Sequence, residues 1–237
     1  MNKQLALVAL ATLSLAVQAP AVTIFSDNFD SENGGVGTLN YGTPNQNGDG
    51  GAGSITTSFA NWAVVSGAVD LIPLSVASPT YGTKFDLTPG QGHGLYVDLE
   101  GTGKGPGIIT LKNAIALGAG SYVLHYDMAG NFREGATDTV IISAQNGVPT
   151  TIATDTKTLT EFAPWTTYDI PFTLAAPTTV NFVFKDTGDF DNIGNLLDNV
   201  RLEGGTPDGV PDGGTTVGLL GLGLAGLASL RRLLARA

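Results

Sequence analysis

Along the middle of this chain apolar and polar residues alternate with a period of two. The runs Tyr122–Met128 (YVLHYDM), Thr137–Ser143 (TDTVIIS), Thr166–Leu174 (TTYDIPFTL) and Thr178–Lys185 (TTVNFVFK) all show it, with Gly118, Gly120 and Gly130 as punctuation. Leu95–Leu99, Ile108–Leu111 and Leu196–Leu202 add shorter runs of the same kind. Strict alternation over four to eight residues marks strands that bury one face, and the pattern predicts about eight to ten of them. Nothing between residues 22 and 207 repeats with helical period. Short strands broken by turn residues point to an all-β fold, an antiparallel β-sandwich of the jelly-roll kind. The ectodomain is expected over 22–203, with residues 33–54 as a surface loop because eight of them are Gly.

The pattern changes at both ends. Lys3, the apolar run Leu5–Val17 and Ala19-Pro20-Ala21 have the order of a secretory signal over residues 1–21. At the far end, residues 204–214 (GGTPDGVPDGG) form a Gly/Pro/Asp linker. An uncharged stretch from Thr215 to Leu230 follows, then Arg231, Arg232 and Arg236. Sixteen residues reach about 24 Å as a helix, and Leu233 and Leu234 extend it if the arginines snorkel. One transmembrane helix is therefore expected within 215–237, and the terminal arginines place that end in the cytoplasm.

Composition narrows the function classes. Only 14% of the residues are charged and the net charge is −10, which argues against nucleic acid as a partner. Without the two ends the domain keeps 7 basic and 19 acidic residues, a net of −12. That balance favours divalent cations over anionic polymers. The absence of Cys excludes disulfides, zinc–thiolate centres and thiol catalysis. The two histidines, His93 and His125, stand close in sequence to no plausible nucleophile, and no G-x-S-x-G or H-E-x-x-H occurs. Glycoside hydrolysis needs only two carboxylates, and 19 acids supply such pairs by chance. The expectation is a non-enzyme, with a glycoside-active enzyme as the least favoured reading.

Three groups of residues remain as binding candidates. Asp186, Asp189, Asp191 and Asp198 lie within thirteen residues, and Asp27, Asp30 and Glu32 crowd the first strand. Calcium takes six to eight oxygen ligands, many from carboxylates, although DTGDFDNIGN (186–195) lacks EF-hand spacing. Trp62, Trp165, Tyr41, Tyr81, Tyr96, Tyr122, Tyr126 and Tyr168 offer rings for a sugar platform, with core packing preferred for those on strands. Arg133 sits in the charged turn NFREG and is expected to pair with Glu134 or Asp138.

The tail order of short motif, apolar helix and arginines, with Val210-Pro211-Asp212-Gly213-Gly214 as the motif, resembles the PEP-CTERM family of sorting signals, closest to its VPD-type variants. The resemblance implies export across the cytoplasmic membrane and recognition by an exosortase-like membrane processing enzyme. It also implies display at the cell surface or in the matrix, in association with exopolysaccharide. Stretches such as FSDNFDSENG (25–34), NWAVVSGAVDLI (61–72), HGLYVDLEGTG (93–103), YDMAGNFREGATDTVIIS (126–143) and GDFDNIGNLLDNVRL (188–202) resemble β-rich ectodomains found on such proteins. More distantly, NFD (28–30) and LLDNVRL (196–202) look like the first and last strands of galactose-binding-like carbohydrate-binding modules. That likeness implies neighbouring first and last strands joined by a structural calcium, with Asp30 and Asp198 as the matching ligands. The main expectation is a non-catalytic surface or matrix protein. A carbohydrate-binding module with a structural calcium is the alternative, its sugar-binding residues unassigned.

Overall fold

The computed structural model describes residues 22–41, 59–73, 86–102, 105–133, 137–146, 150–204 and 221–223. The expected signal segment 1–21, Tyr81, Glu134 and the sorting-motif residues Val210–Gly214, Arg231 and Arg232 lie outside them. Of the expected transmembrane stretch only residues 221–223 are described, and these are helical. Among the described residues no helix is long and apolar enough to cross a membrane.

Fifteen strands are described, in chain order β1 (Val22–Asp27), β2 (Thr38–Tyr41), β3 (Trp62–Ser66), β4 (Val69–Ile72), β5 (Tyr96–Asp98), β6 (Glu100–Gly101), β7 (Gly105–Pro106), β8 (Ile108–Leu111), β9 (Ile115–Leu117), β10 (Gly120–Ala129), β11 (Asp138–Asn146), β12 (Thr151–Leu159), β13 (Thr166–Leu174), β14 (Thr178–Asp186) and β15 (Leu196–Gly204). One sheet runs β13-β10-β15-β5-β4-β2, with β1 also on β15. The second runs β12-β11-β14-β8-β3, with β9 also on β14. The pairings in both are antiparallel.

The alternation seen in the sequence becomes the core. Tyr122, Leu124, Tyr126 and Met128 of β10 are buried, as are Ile170, Phe172 and Leu174 of β13 and Val180, Phe182 and Phe184 of β14. Rings from the two sheets meet edge-on, Tyr126 with Phe184 at 5.5 Å and Phe172 with Phe182 at 6.3 Å. These contacts make the two sheets one sandwich.

The Gly-rich region departs from expectation. Thr38–Tyr41 is a strand paired with β4, and Tyr41 is buried with its hydroxyl donating to Glu32 at 3.0 Å. A single phenol with a carboxylate partner anchors a segment whose composition reads as loop. Residues 42–54 lie outside the described part.

β15 carries the decisive irregularity. Asn199 has a φ of +50°, and the register against β10 slips between His125 and Asp127. Such a bulge switches which residues face which side. Leu197, Val200 and Leu202 therefore join the main core, whereas Leu196 joins a second small cluster with Ile72, Leu87, Tyr96 and Ala129. Asp198, one residue from Leu197, points away from the main core. The bulge is held by Asn199 Nδ2, which donates to Asp127 Oδ2 at 2.8 Å.

Candidate functional site

The first and last strands do run side by side. β1 pairs with β15 from Val22↔Gly204 to Asp27↔Val200, and just beyond this seam the structure brings Asp30 and Asp198 to one small polar site. Their link is the loop entering β5. Leu95 N donates to Asp30 Oδ1 at 2.8 Å, and His93 Nδ1 lies 2.7 Å from Asp198 Oδ2. Gly94 stands between them because a Cβ there would come within 1.7 Å of Asp30 Oδ1. The remaining oxygens are also engaged, Asp198 Oδ1 by Asn199 N at 2.7 Å and Asp30 Oδ2 by Asn28 Nδ2 at 2.7 Å.

Protein groups thus engage all four carboxylate oxygens that the resemblance offers to calcium, His93 among them. This donor set fits a metal poorly. Burial pushes the Asp198 carboxyl up to about 6, with the His93 contact acting against the rise. Trp165 roofs the pair, its ring stacked on His93 at 4.0 Å and edge-on to Tyr96 at 5.4 Å. Tyr96 in turn donates to Asp86 at 2.7 Å and accepts Leu87 N at 2.9 Å.

The other acids of the first strand are similarly used as internal brackets. Asp27 Oδ2 accepts the Trp62 indole N–H at 3.0 Å, and Glu32 accepts Ala60 N at 2.8 Å. His125 lies on the sandwich surface between Asp169 at 2.6 Å and Glu203 at 3.4 Å, linking β13, β10 and β15. Each His in this chain therefore holds carboxylates.

Most of the candidate rings serve packing. Trp62, Tyr41, Tyr96, Tyr122 and Tyr126 are buried, and Tyr168 stacks on Tyr126 at 5.9 Å. Trp165 alone among the two tryptophans keeps partial exposure. Exposed rings occur where sequence patterning had not pointed, with Phe162 at 53% and Phe190 at 83%. Phe162 meets Phe132 at 6.3 Å, so Phe132, Phe162 and Trp165 gather around the loops that lead into β13.

Arg133 does not fix its own turn through Asp138. Its Nη2 reaches across to Asp98 Oδ2 at 2.8 Å. Asp98 is buried and also accepts Glu100 N and Gly194 N, both at 3.1 Å. Beside this pair lie Glu100, Asp138 and Asp186, each no more than 4% exposed. Sequence reading selected Asp186, Asp189 and Asp191 as acidic. It missed Glu100 as a buried group, because alternation assigns Asp98 and Glu100 to an outward face. The turn between β14 and β15 closes over that face, with Asp191 N donating to Glu100 Oε1 at 3.1 Å.

Comparison with known proteins adds one sequence match and a set of structural likenesses. The VPDSG-CTERM motif matches residues 209–234, with Gly213 where the motif's name has Ser. The C-terminal end therefore carries a sorting signal of the VPD type. A comparison with curated proteins returns no match. Among solved structures, the chain is similar to the K3 cleaved adhesin domain of Lys-gingipain from Porphyromonas gingivalis W83, at 12% identity and TM-score 0.42 over 76% of this chain and 98% of that one. It is similar to the CBM22-1 xylan-binding domain from Paenibacillus barcinonensis Xyn10C, at 9% identity and TM-score 0.36 over 78% and 96%. It is also similar to the arabinose-bound α-L-arabinofuranosidase MgGH51, at 12% identity and TM-score 0.41 over 62% of this chain, but it spans only 23% of that enzyme.

Proposed function

We propose that this chain is an exported, non-catalytic surface or matrix protein whose β-sandwich is delivered by its C-terminal sorting signal and processed by an exosortase-like membrane enzyme. The observation that carries the reading is the sorting motif at 209–234, immediately behind a sandwich whose last strand ends at Gly204. Two further features support it. Trp62, Tyr41, Tyr96 and Tyr126 are spent on the core, and both histidines bond carboxylates. The test is fractionation of the producing cell. Full-length chain should be recovered at the surface or in the matrix, and a chain cut after Asp208 should leave that fraction. Equal surface recovery of the two forms would remove the sorting role of the tail.

A second reading, association with polysaccharide, has one specific observation in its favour. Phe132, Phe162 and Trp165 cluster at one end of the sandwich with Phe162 exposed, and sugar rings stack on such surfaces. Retardation of the full chain in gels containing the host's own exopolysaccharide tests it. Loss of that retardation in Trp165→Ala and Phe162→Ala supports sugar binding, whereas an unretarded wild type removes it.

A further inference from the structure

The β14–β15 turn, residues 187–195, is clamped at its two ends and rests on acids between them. Thr187 N donates to the Thr139 carbonyl at 2.9 Å, and Asn195 Nδ2 to the Asp138 carbonyl at 2.9 Å. Between these clamps Gly188 N donates to Asp186 Oδ1 at 2.8 Å, Asp191 N to Glu100 Oε1 at 3.1 Å and Gly194 N to Asp98 Oδ1 at 3.1 Å. The turn is therefore held by the carboxyl groups it covers.

Those groups are poorly provided for. Glu100, Asp138 and Asp186 are each no more than 4% exposed, and Glu100 Oε2, Asp138 Oδ2 and Asp186 Oδ2 accept no hydrogen bond. The charged groups around them are mostly of like sign: Asp70 on β4, Asp98 on β5, and Asp189 and Asp191 on the turn itself. Arg133, from the β10–β11 loop, pairs with Asp98 at 2.8 Å. It favours charge on Asp138 as well, but burial, Asp186, Asp191 and Asp189 outweigh it.

We propose that the β14–β15 turn is a proton-operated latch, shut while Glu100, Asp138 and Asp186 hold protons and released when they ionise. A buried carboxylate without a partner is among the costliest groups to keep. A protonated carboxyl is neutral and brings the O–H donor that the cluster lacks. Burial accordingly lifts Glu100 and Asp138 up to about 7 and Asp186 up to about 6. Once the turn lifts, water reaches all three and their ordinary acidity, at about 4, returns. The shut turn thus binds more protons than the open one, so opening becomes easier as pH rises from the ordinary carboxyl range towards neutrality.

The proton has a route. A recess of about 190 Å³, with Asp138, Thr187, Gly188, Asp189 and Asp191 among its walls, leads to Asp138 from outside. Gly188 lets the turn settle there, because a Cβ at that position would collide with Asp138 Oδ1. At the tip Phe190, 83% exposed, rests against Gly105 and travels with the turn.

Hydrogen exchange of the full-length chain, read by mass spectrometry from about pH 5 to about pH 8 and corrected for intrinsic rates, tests the latch. Protection of residues 187–195 should fall at least about tenfold more than that of β10 and β13, since each unit by which closure raises a carboxyl adds a factor of about ten. Glu100→Gln and Asp138→Asn each keep an acceptor oxygen, remove a titrating group and should shrink that excess. Asp189→Asn, at an exposed position, guards against misfolding of the buried variants and should also shrink it, by taking a like charge away from Asp138. Asp198→Asn, which alters the separate titrating site at the seam, should leave the excess intact. Turn protection that falls no more than that of β10 and β13 overturns the proposal. So does an excess that persists undiminished in Glu100→Gln, Asp138→Asn and Asp189→Asn, or one that Asp198→Asn abolishes.

Discussion

The seam at Asp30 and Asp198 and the buried cluster of Glu100, Asp138 and Asp186 lie at the same end of the sandwich, where β15 begins. Both are acidic and both include buried carboxylates. They differ in their donors. At the seam His93, Asn28 and two backbone N–H groups reach all four oxygens. In the buried cluster backbone N–H groups reach one oxygen of Asp186 and one of Glu100, and three buried oxygens have no hydrogen-bond donor. A count of acids therefore says little about how a cluster is stabilised; the supply of hydrogen-bond donors separates the two.

The contrast can be broken most severely through Arg133, the cation that pairs with the buried Asp98 beside the second cluster. Arg133→Met should leave Asp98 uncompensated and cost about 3–5 kcal/mol in urea unfolding. A pH series on metal-free chain should show the next largest effect. Below the ordinary carboxyl range folded and unfolded chains are both protonated at Glu100, Asp138 and Asp186. As pH rises towards about 7, the unfolded chain gives up these protons first, because burial holds the folded values near 6 to 7. Stability should therefore fall between mildly acidic and neutral pH. A stability that rises over this window would contradict the buried, cation-free cluster.

At the seam the expected loss is smaller. Asp198→Asn keeps the shape but turns one acceptor into a donor, which should cost about 1–3 kcal/mol by thermal or urea melts. Asp189→Asn should sharpen the comparison with the least disturbance, shifting stability by no more than about 0.5 kcal/mol.

Much of the sandwich was legible in the sequence, and the illegible parts have physical reasons. β10, β11, β13 and β14 each bury alternate residues, and their runs announced them. β12 escaped because it is an edge strand, TIATDTKTL, with Leu159 as its one buried apolar residue. Charges such as Asp155 and Lys157 suit a sheet edge and erase the apolar signal. The adjacency of Asp30 and Asp198 followed from the resemblance of the two terminal strands. The histidine between them did not, since it arrives from a loop some sixty residues away in sequence from Asp30. Nor could alternation reveal Glu100, whose nominally outward face is sealed by a turn from elsewhere in the chain.

The pairing of β1 with β15 also sets how the domain carries tension. Val22 and Gly204 are partners, so both termini of the domain leave from one end, while the recess and the rings around Trp165 sit at the other. The nine residues of β15 separate the two ends by about 30 Å. A load between the tail and something gripped at the far end pulls along β15, which is bonded to β10 on one side and to β1 and β5 on the other. The ladder bonds on both flanks then resist together, in shear. A load between the two termini would instead peel β1 from β15 one pair at a time. A domain held by its C-terminal side would therefore be loaded in shear, and one held by both termini by peeling.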